Sequence, residues 1–120
     1  MEKIESICVM RELICAMSEL ESQLQDRWGI SSTEAMAMCC IGQDTVIASL
    51  ISETIGIKPS HTSKVLSSME KKELVSRSVG TVDRRQMQFS LTEKGRQLLQ
   101  SIKTEKIDIP PFLRPLFPDC

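Results

Sequence analysis

The sequence predicts a mainly helical protein that carries one two-stranded β-ribbon. Apolar residues recur every three or four positions through the first 28 residues, which is the period of an amphipathic helix. Two short strand-forming stretches, 75–79 and 87–91, flank a basic turn, and a capped helix follows the second of them. A helical protein with such a ribbon has the layout of a winged helix-turn-helix, in which the ribbon is the wing.

The N-terminal segment, residues 2–28, is predicted to form one long helix. Its apolar stripe consists of Ile4, Ile7, Met10, Ile14, Met17, Leu20, Leu24 and Trp28. A small winged-helix core cannot cover a helix of this length. We therefore expect part of the stripe, including Ile4, Ile7 and Ile14, to pack against a second copy of the chain.

Two shorter helices are predicted to follow. Ser31 or Ser32 is suited to cap a helix that ends near Cys40, and Asp44 is suited to cap the next one. The apolar residues assigned to this third helix are Val46, Ile47, Leu50, Ile51 and Ile55.

A further helix is predicted to begin at Pro59, because proline suits a first helical position. Its inward face would carry Thr62, Val65, Leu66 and Met69. Its outward face would carry Ser60, His61, Ser63, Lys64, Ser67, Ser68 and Lys71. Small hydroxyls with two ammonium groups can enter a major groove, although an ordinary solvated helix face can have the same composition.

The predicted wing has a cationic end. Gly80 and Asp83 supply turn chemistry, and Arg84 and Arg85 lie at or beside the tip. The second strand alternates Met87, Phe89 and Leu91 with polar residues, so these three should form its buried face. Thr92 is then placed to cap the following helix with its hydroxyl group.

These motifs resemble those of the multiple antibiotic resistance regulator (MarR) family of winged-helix transcription factors. The family's wing pattern is met without a gap by Asp83, Arg85, Leu91, Thr92 and Gly95. Residues 51–77 are similar to the family's helix-turn-helix, with Gly56 in the turn. The chain departs from the family at Glu73, where glycine is usual, so a non-glycine residue would have to adopt a left-handed conformation or the helix would end differently.

Charge is segregated along the chain although the formal net charge is only −1. Residues 1–57 contain three basic and nine acidic residues, whereas residues 58–96 contain nine basic and four acidic ones. The segment that resembles the helix-turn-helix and wing is therefore the one with a phosphate-attracting potential. Charge alone would favour a mixed, solvated surface, but charge together with the wing pattern favours a DNA-binding face.

The C-terminal tail after Lys106 is rich in proline and apolar residues, which predicts an extended arm. The resembled family normally continues into a further helix that completes a dimer. We expect the arm to take its place, with docking on the chain's own first helix as the alternative. The predicted partner contacts are Phe112, Leu113, Leu116 and Phe117.

The five cysteines suggest neither a metal site nor, as the first choice, a redox site. No Cys-x-x-Cys motif is present, and His61 is the only histidine. One branch of the resembled family senses hydroperoxides through a cysteine in the first helix, which makes Cys15 the candidate redox residue. Because Cys15 lies in the apolar sequence LICAM, a buried structural cysteine is the simpler interpretation.

At 120 residues, the chain is predicted to be a single winged-helix domain. Within it we expect a dimerisation helix over 1–30, the winged helix-turn-helix over 31–91, and a C-terminal helix with an extended arm over 92–120. No stretch approaches the roughly 20 apolar residues of a membrane span, and the N-terminus lacks an export signal, so a cytoplasmic protein without a membrane partner is expected.

The predicted function is sequence-specific binding of double-stranded DNA by a homodimeric transcriptional regulator, with repression as the expected outcome. A winged-helix module for protein association and a thiol-based sensor are the alternatives. No catalytic motif is present, and no cofactor or metal is expected; a small-molecule effector is possible but unidentified. The predicted DNA-contacting residues are Ser60, His61, Ser63, Lys64, Ser67, Lys71, Arg77, Asp83, Arg84 and Arg85.

Overall fold

The computed structural model describes residues 3–80, 85–105 and 108–116, with side chains from residue 6 onward. The chain divides into two compact units. One comprises the described residues of 1–32 and 106–120, and the other comprises residues 33–105.

The first unit is built on α1 (Lys3–Trp28), which confirms the predicted long N-terminal helix. A 3-10 helix, Pro111–Leu116, packs on α1. The Gln23 side chain joins the two segments, because its amide oxygen accepts from the Asp108 backbone N–H at 2.9 Å. The first unit is thus a long helix with the C-terminal segment packed on one side.

The prediction of an extended arm is therefore wrong for residues 111–116. Pro111 occupies the first helical position, where no N–H is needed, and the Leu113 N–H donates to the Pro110 carbonyl at 2.9 Å. A 3-10 helix needs few such bonds over six residues, so the prolines do not prevent it. Leu113 is buried within its own chain, which corrects its assignment as a partner contact. Phe117 lies outside the described residues.

The opposite side of α1 is apolar and uncovered. Ile7 is 67% exposed, Ile14 is 61% exposed, and Met10 and Met17 are similarly open. At 100° per residue these four positions fall within an arc of about 80°, roughly 100° to 180° around the helix from the buried Ala16. The N-terminal half of the predicted stripe is therefore exposed in the described chain, whereas its C-terminal members Leu20, Leu24 and Trp28 are half-buried. The side chain of Ile4 is not among those described.

The second unit contains four helices and a small sheet. The helices are α2 (Ser32–Ile41), α3 (Ala48–Ile55), α4 (Pro59–Lys71) and α5 (Glu93–Thr104), and the strands are β1 (Val46–Ile47), β2 (Val75–Val79) and β3 (Met87–Leu91). The strand order is β1-β3-β2, and both pairings are antiparallel. The predicted wing strands are confirmed, with a third strand added to their sheet.

Strand β1 corrects the predicted start of the third helix. Val46 and Ile47 pair with Phe89 and Gln88 of β3, and α3 begins only after them. The residue before α3 is Ile47, which has extended backbone angles and no side-chain cap, so Asp44 does not cap this helix. The apolar side chain of Val46 is buried in the sheet instead of contributing to a helical stripe.

The core of the second unit is formed by side chains from every helix and strand. Its buried apolar residues include Ala37, Met38, Ile41, Val46, Ile51, Val65, Leu66, Met69, Leu74, Val75, Phe89, Leu91 and Leu99. The inward face predicted for α4 is confirmed, because all four of its predicted residues are buried. Among the helices that the structure describes, none combines the length and hydropathy required to span a bilayer.

Candidate nucleic-acid interface

Helix α4 is held against α3 by a buried pair of hydroxyl groups. Ser52 of α3 and Thr62 of α4 share a hydrogen bond of 2.6 Å, and the Thr62 hydroxyl also donates to the Lys58 carbonyl at 3.2 Å. Gly56 makes the turn between the helices in a left-handed conformation, with φ 82° and ψ 36°. A buried hydroxyl pair is directional, so it fixes the angle between α3 and α4 more tightly than apolar packing alone.

The outward face of α4 is polar and open. Ser60, His61, Ser63, Lys64, Ser67 and Lys71 are all exposed, as predicted, and Ser68 is half-buried. An open concavity of about 370 Å³ runs along this face, lined by Ser63, Lys64, Ser67, Ser68 and Lys71. The face presents hydroxyl groups between two ammonium groups, with no large side chain to obstruct close approach.

The C-terminal end of α4 is shaped by a strained residue. Glu73 has a φ of 62°, so of the two alternatives left open by the sequence it adopts the left-handed conformation. The Leu74 N–H donates back to the Met69 carbonyl at 2.9 Å, which closes the helix and turns the chain into β2. The departure from the glycine pattern therefore changes the residue at this turn but retains its left-handed geometry.

Glu34 of α2 makes contacts with α4 that sequence reasoning missed. Its carboxylate is buried, with the Ser68 hydroxyl donating to Oε2 at 3.0 Å and the Lys72 ammonium donating to Oε1 at 2.7 Å. From the sequence, Glu34 indicated only an acid in the first turn of a helix, where it favours the helix dipole. The signal that could have found it is an acid on a short, otherwise apolar helix.

Arg77 joins the wing to α4. Its guanidinium forms an ion pair with Glu70 at 2.5 Å and lies over the Phe89 ring, 5.2 Å from the ring centroid. Arg77 and Phe89 are directly paired across β2 and β3, so the stacking follows from the strand register. The predicted DNA contact at Arg77 therefore has protein partners in this structure, and its side chain is 42% exposed.

The tip of the wing is only partly described. The Gly80 N–H donates to the Gln86 carbonyl at 2.8 Å, which closes the ribbon below the tip. Arg85 is exposed beside it. Asp83 and Arg84, the other two residues predicted at the tip, lie outside the described residues.

The base of the wing is tied to the start of α5. The Thr92 hydroxyl accepts from the Gly95 N–H at 3.0 Å, which confirms it as the helix cap, and it donates to the Glu73 carbonyl at 2.6 Å. A Cβ atom at position 95 would overlap the Leu74 carbonyl oxygen and lie 3.1 Å from its carbonyl carbon. Glycine is therefore required at position 95 by the close approach of the two backbones.

Cys15 is not the buried structural residue expected from its apolar setting. Cys8, Cys15 and Cys39 are exposed in this chain, and Cys40 is half-buried. Cys15 lines an open groove of about 790 Å³ within the first unit, beside Ala16 and Phe112. The interpretation failed because three of the apolar neighbours in LICAM, namely Leu13, Ile14 and Met17, are themselves exposed in the described chain. Within the described ranges, no group of His, Cys, Asp or Glu side chains could hold a metal ion.

Comparison with known proteins places the helix-turn-helix and most of the wing in a family. The model of the MarR family matches residues 30–87, which run from the start of α2 into β3. Residues 30–87 belong to the MarR family. This finding confirms the resemblance inferred from the wing pattern, and no match to the chain was found among curated proteins.

Solved structures share the fold of the MarR-family region and of the flanking segments. The transcriptional regulator BldR from Sulfolobus solfataricus matches with a TM-score of 0.71 and 21% identity, covering 97% of this chain and 82% of that one. FabT from Streptococcus pneumoniae in complex with DNA matches with a TM-score of 0.71 and 22% identity over 84% of this chain and 73% of that one. An S. aureus MepR–DNA complex matches with a TM-score of 0.66 and 20% identity, covering 80% of each chain. The predicted class, mainly helical with a winged helix-turn-helix, is confirmed.

Proposed function

We propose that the protein is a transcriptional regulator that binds double-stranded DNA sequence-specifically as a homodimer. The observation that carries this proposal is the outward face of α4, where small hydroxyls and ammonium groups are exposed while the apolar face is buried. The solved structures of FabT and MepR with DNA support it by analogy, because they share this fold.

Each predicted contact has a place in the proposal. Ser60, His61 and Ser63 lie on the N-terminal half of α4 and are proposed to face base edges. Lys64 and Lys71 are proposed to contact phosphates, and the remaining α4 contact is Ser67. Arg85 is proposed to enter the minor groove, with Asp83 orienting the wing tip and Arg84 on a phosphate. Because Arg77 already binds Glu70 and covers Phe89, we assign it to holding the wing, not to contacting DNA.

Association is proposed to occur through the apolar face of α1. Ile7, Met10, Ile14 and Met17 form a stripe with 3-4-3 spacing, the pattern of a helix–helix seam. Phe112 is 41% exposed and Leu116 is 75% exposed on the 3-10 helix, and both remain proposed partner contacts. A two-fold dimer would present two α4 helices about 34 Å apart, so its operator would be a pseudo-palindrome.

Repression is the proposed outcome of binding. A homodimer that occupies a promoter through two α4 helices and two wings can exclude polymerase without making any further contact. A reporter gene placed behind a selected binding site should fall in expression when the protein is produced. A rise would instead indicate activation.

The proposal is tested by gel retardation. The full-length protein should retard random duplex DNA at low salt, with an affinity that falls steeply as salt rises, and selection from a random library should return a pseudo-palindrome. Complete absence of retardation at low salt would contradict DNA binding and favour a winged-helix module for protein association. Selection of a sequence without two-fold symmetry would contradict the dimeric arrangement.

A redox function at Cys15 has one observation in its favour, the exposure of this side chain in the groove. Dilute peroxide would then abolish DNA binding by the wild-type protein, and a Cys15→Ser variant would resist it. Equal loss of binding in both proteins would remove Cys15 as the sensor.

A further inference from the structure

One carboxylate, that of Glu34, contacts both the last turn of α4 and Lys72, the residue that caps its C-terminus. Ser68 and Lys72 are four residues apart, so they lie one above the other along the helix. Each oxygen of Glu34 takes one of them, Oε2 from Ser68 at 3.0 Å and Oε1 from Lys72 at 2.7 Å. A contact at two points along the axis resists rotation of α4 more strongly than a single contact does.

Ser68 and Lys72, which contact Glu34, are sequence neighbours of proposed DNA contacts. Ser67 precedes Ser68 and Lys71 precedes Lys72, so each pair is separated by about 100° around the helix. A rotation of α4 by about 20° would displace its side-chain tips by on the order of 2 Å, enough to break a hydrogen bond to a base edge. The contact with Glu34 therefore fixes which side chains reach the groove.

The ion pair with Glu34 also gives the adjacent residues Lys71 and Lys72 different environments. Lys72 is directed to a buried carboxylate, whereas Lys71 is exposed on the open face of α4. The Glu34 side chain is only 5% exposed, and a buried ion pair of this kind contributes little more to stability than apolar residues of the same shape would. Its distinctive contribution is geometric.

We propose that Glu34 is a positioning residue for DNA recognition, which sets the rotation of α4 through Ser68 and Lys72. The inference rests on the proposed function, since it concerns the same surface. It makes Glu34 a determinant of sequence specificity although the residue lies on α2, outside the helix-turn-helix, and is not itself among the proposed DNA contacts.

The test compares affinity for the selected duplex with affinity for a scrambled duplex of the same length. Glu34→Ala should lower the ratio of specific to non-specific affinity about tenfold or more, because misplaced side chains lose base contacts. Glu34→Gln, which keeps an acceptor but loses the charge, should lower the ratio less. Non-specific affinity should stay the same or rise, because a negative charge near a polyanion has been removed.

Two further variants keep the test decisive. Glu53→Ala removes one exposed acidic residue of α3 and should leave the ratio unchanged, which controls for charge. Ser68→Ala removes the hydrogen bond to Glu34 and leaves the ion pair with Lys72. It should lower the ratio of specific to non-specific affinity about threefold. If circular dichroism shows that Glu34→Ala does not fold, Glu34→Gln and Ser68→Ala decide the question.

A ratio within twofold of the wild type in folded Glu34→Ala, or in folded Glu34→Gln and Ser68→Ala together, would overturn the proposal. Equal tightening of both affinities in Glu34→Ala would also overturn it, because it would show that the carboxylate acts only through its charge. These failures are distinct from failure of the proposed function, in which the wild-type protein itself would retard no duplex.

Discussion

Helices α1 and α4 each leave one face uncovered in the described chain, but the chemistry of the two faces is opposite. The open face of α1 carries Ile7, Met10, Ile14 and Met17, whereas that of α4 carries hydroxyl and ammonium groups. An apolar face is stabilised by leaving water, so it favours another apolar protein surface. A face of small polar and cationic groups favours a hydrated polyanion. The contrast teaches that an uncovered face indicates its partner by its chemistry.

The largest expected effect comes from placing charge on the α1 face. Ile7→Glu combined with Ile14→Glu should weaken the proposed dimer by about 4 kcal/mol, roughly a thousandfold in Kd, because four buried side chains are lost per dimer. Sedimentation equilibrium measures the change. Glu19→Ala, on another side of α1, is the control and should leave the mass unchanged. A double variant that stays dimeric would show that the apolar face of α1 does not form the dimer contact.

The next effect is on the support of α4 and the wing. Gly95→Ala should lower the free energy of unfolding by about 3 kcal/mol, because the new Cβ overlaps the Leu74 backbone. Urea denaturation measures it, with the exposed Gln100→Ala of the same helix as a control that should change stability by less than about 0.5 kcal/mol. Equal stability of the two variants would show that the close approach is not required.

Two substitutions on the cationic surface should differ in kind. Arg85→Ala should weaken binding to the selected duplex by about 1–3 kcal/mol and relax specificity, because the wing is proposed to read the minor groove. Lys71→Ala should weaken binding to all duplexes and reduce the salt dependence by about one phosphate contact. Titrations at several salt concentrations separate the two. Identical behaviour of the two variants would contradict the proposal that Arg85 contributes to sequence specificity while Lys71 contacts a phosphate.

The turn after α4 should become more stable when its strain is removed. Glu73→Gly should raise the free energy of unfolding by about 1 kcal/mol, because glycine adopts a φ of 62° without steric cost. Glu73→Ala keeps the strain and should show no such gain. Thermal melting of both variants checks this, and loss of stability in the glycine variant would mean that the glutamate side chain contributes more than the strain costs.

The smallest effect concerns Arg77. Glu70→Gln should lower the ratio of specific to non-specific affinity by the equivalent of less than about 1 kcal/mol if Arg77 holds the wing, because an exposed ion pair contributes little. If Arg77 instead contacts DNA, the same change should raise this ratio by freeing the guanidinium. The ratio is used because loss of the negative charge favours every duplex alike, and Arg77→Lys is expected to behave like Glu70→Gln because lysine cannot reproduce the paired geometry.

Sequence reasoning predicted elements whose signals are local. The α1 helix, the buried face of α4 and the Thr92 cap follow from spacing or from one residue's capping preference, whereas the left-handed Glu73 was one of two alternatives raised by the family resemblance. The MarR-family region was found in the same way, from a gap-free pattern across the wing.

Features that depend on distant partners were missed. Strand β1 has only two residues and exists because β3 pairs with it, and short apolar runs do not distinguish strand from helix. Glu34 contacts Ser68 and Lys72, from which it is separated by 34 and 38 positions in the sequence. Hydrophobic periodicity cannot predict contacts over such separations. The exposure of Cys15 depends on which side of α1 is covered, and that is a property of the fold.

The close approach of Gly95 to Leu74 has a consequence for how this surface can vary. The Thr92 N–H also donates to the Leu74 carbonyl at 3.0 Å. The two contacts hold the residue before β2 against the residues after β3. A side chain at position 95 would therefore displace either the end of α4 leading into β2 or the start of α5. Any change in how the wing is placed on the second unit must therefore accommodate this contact.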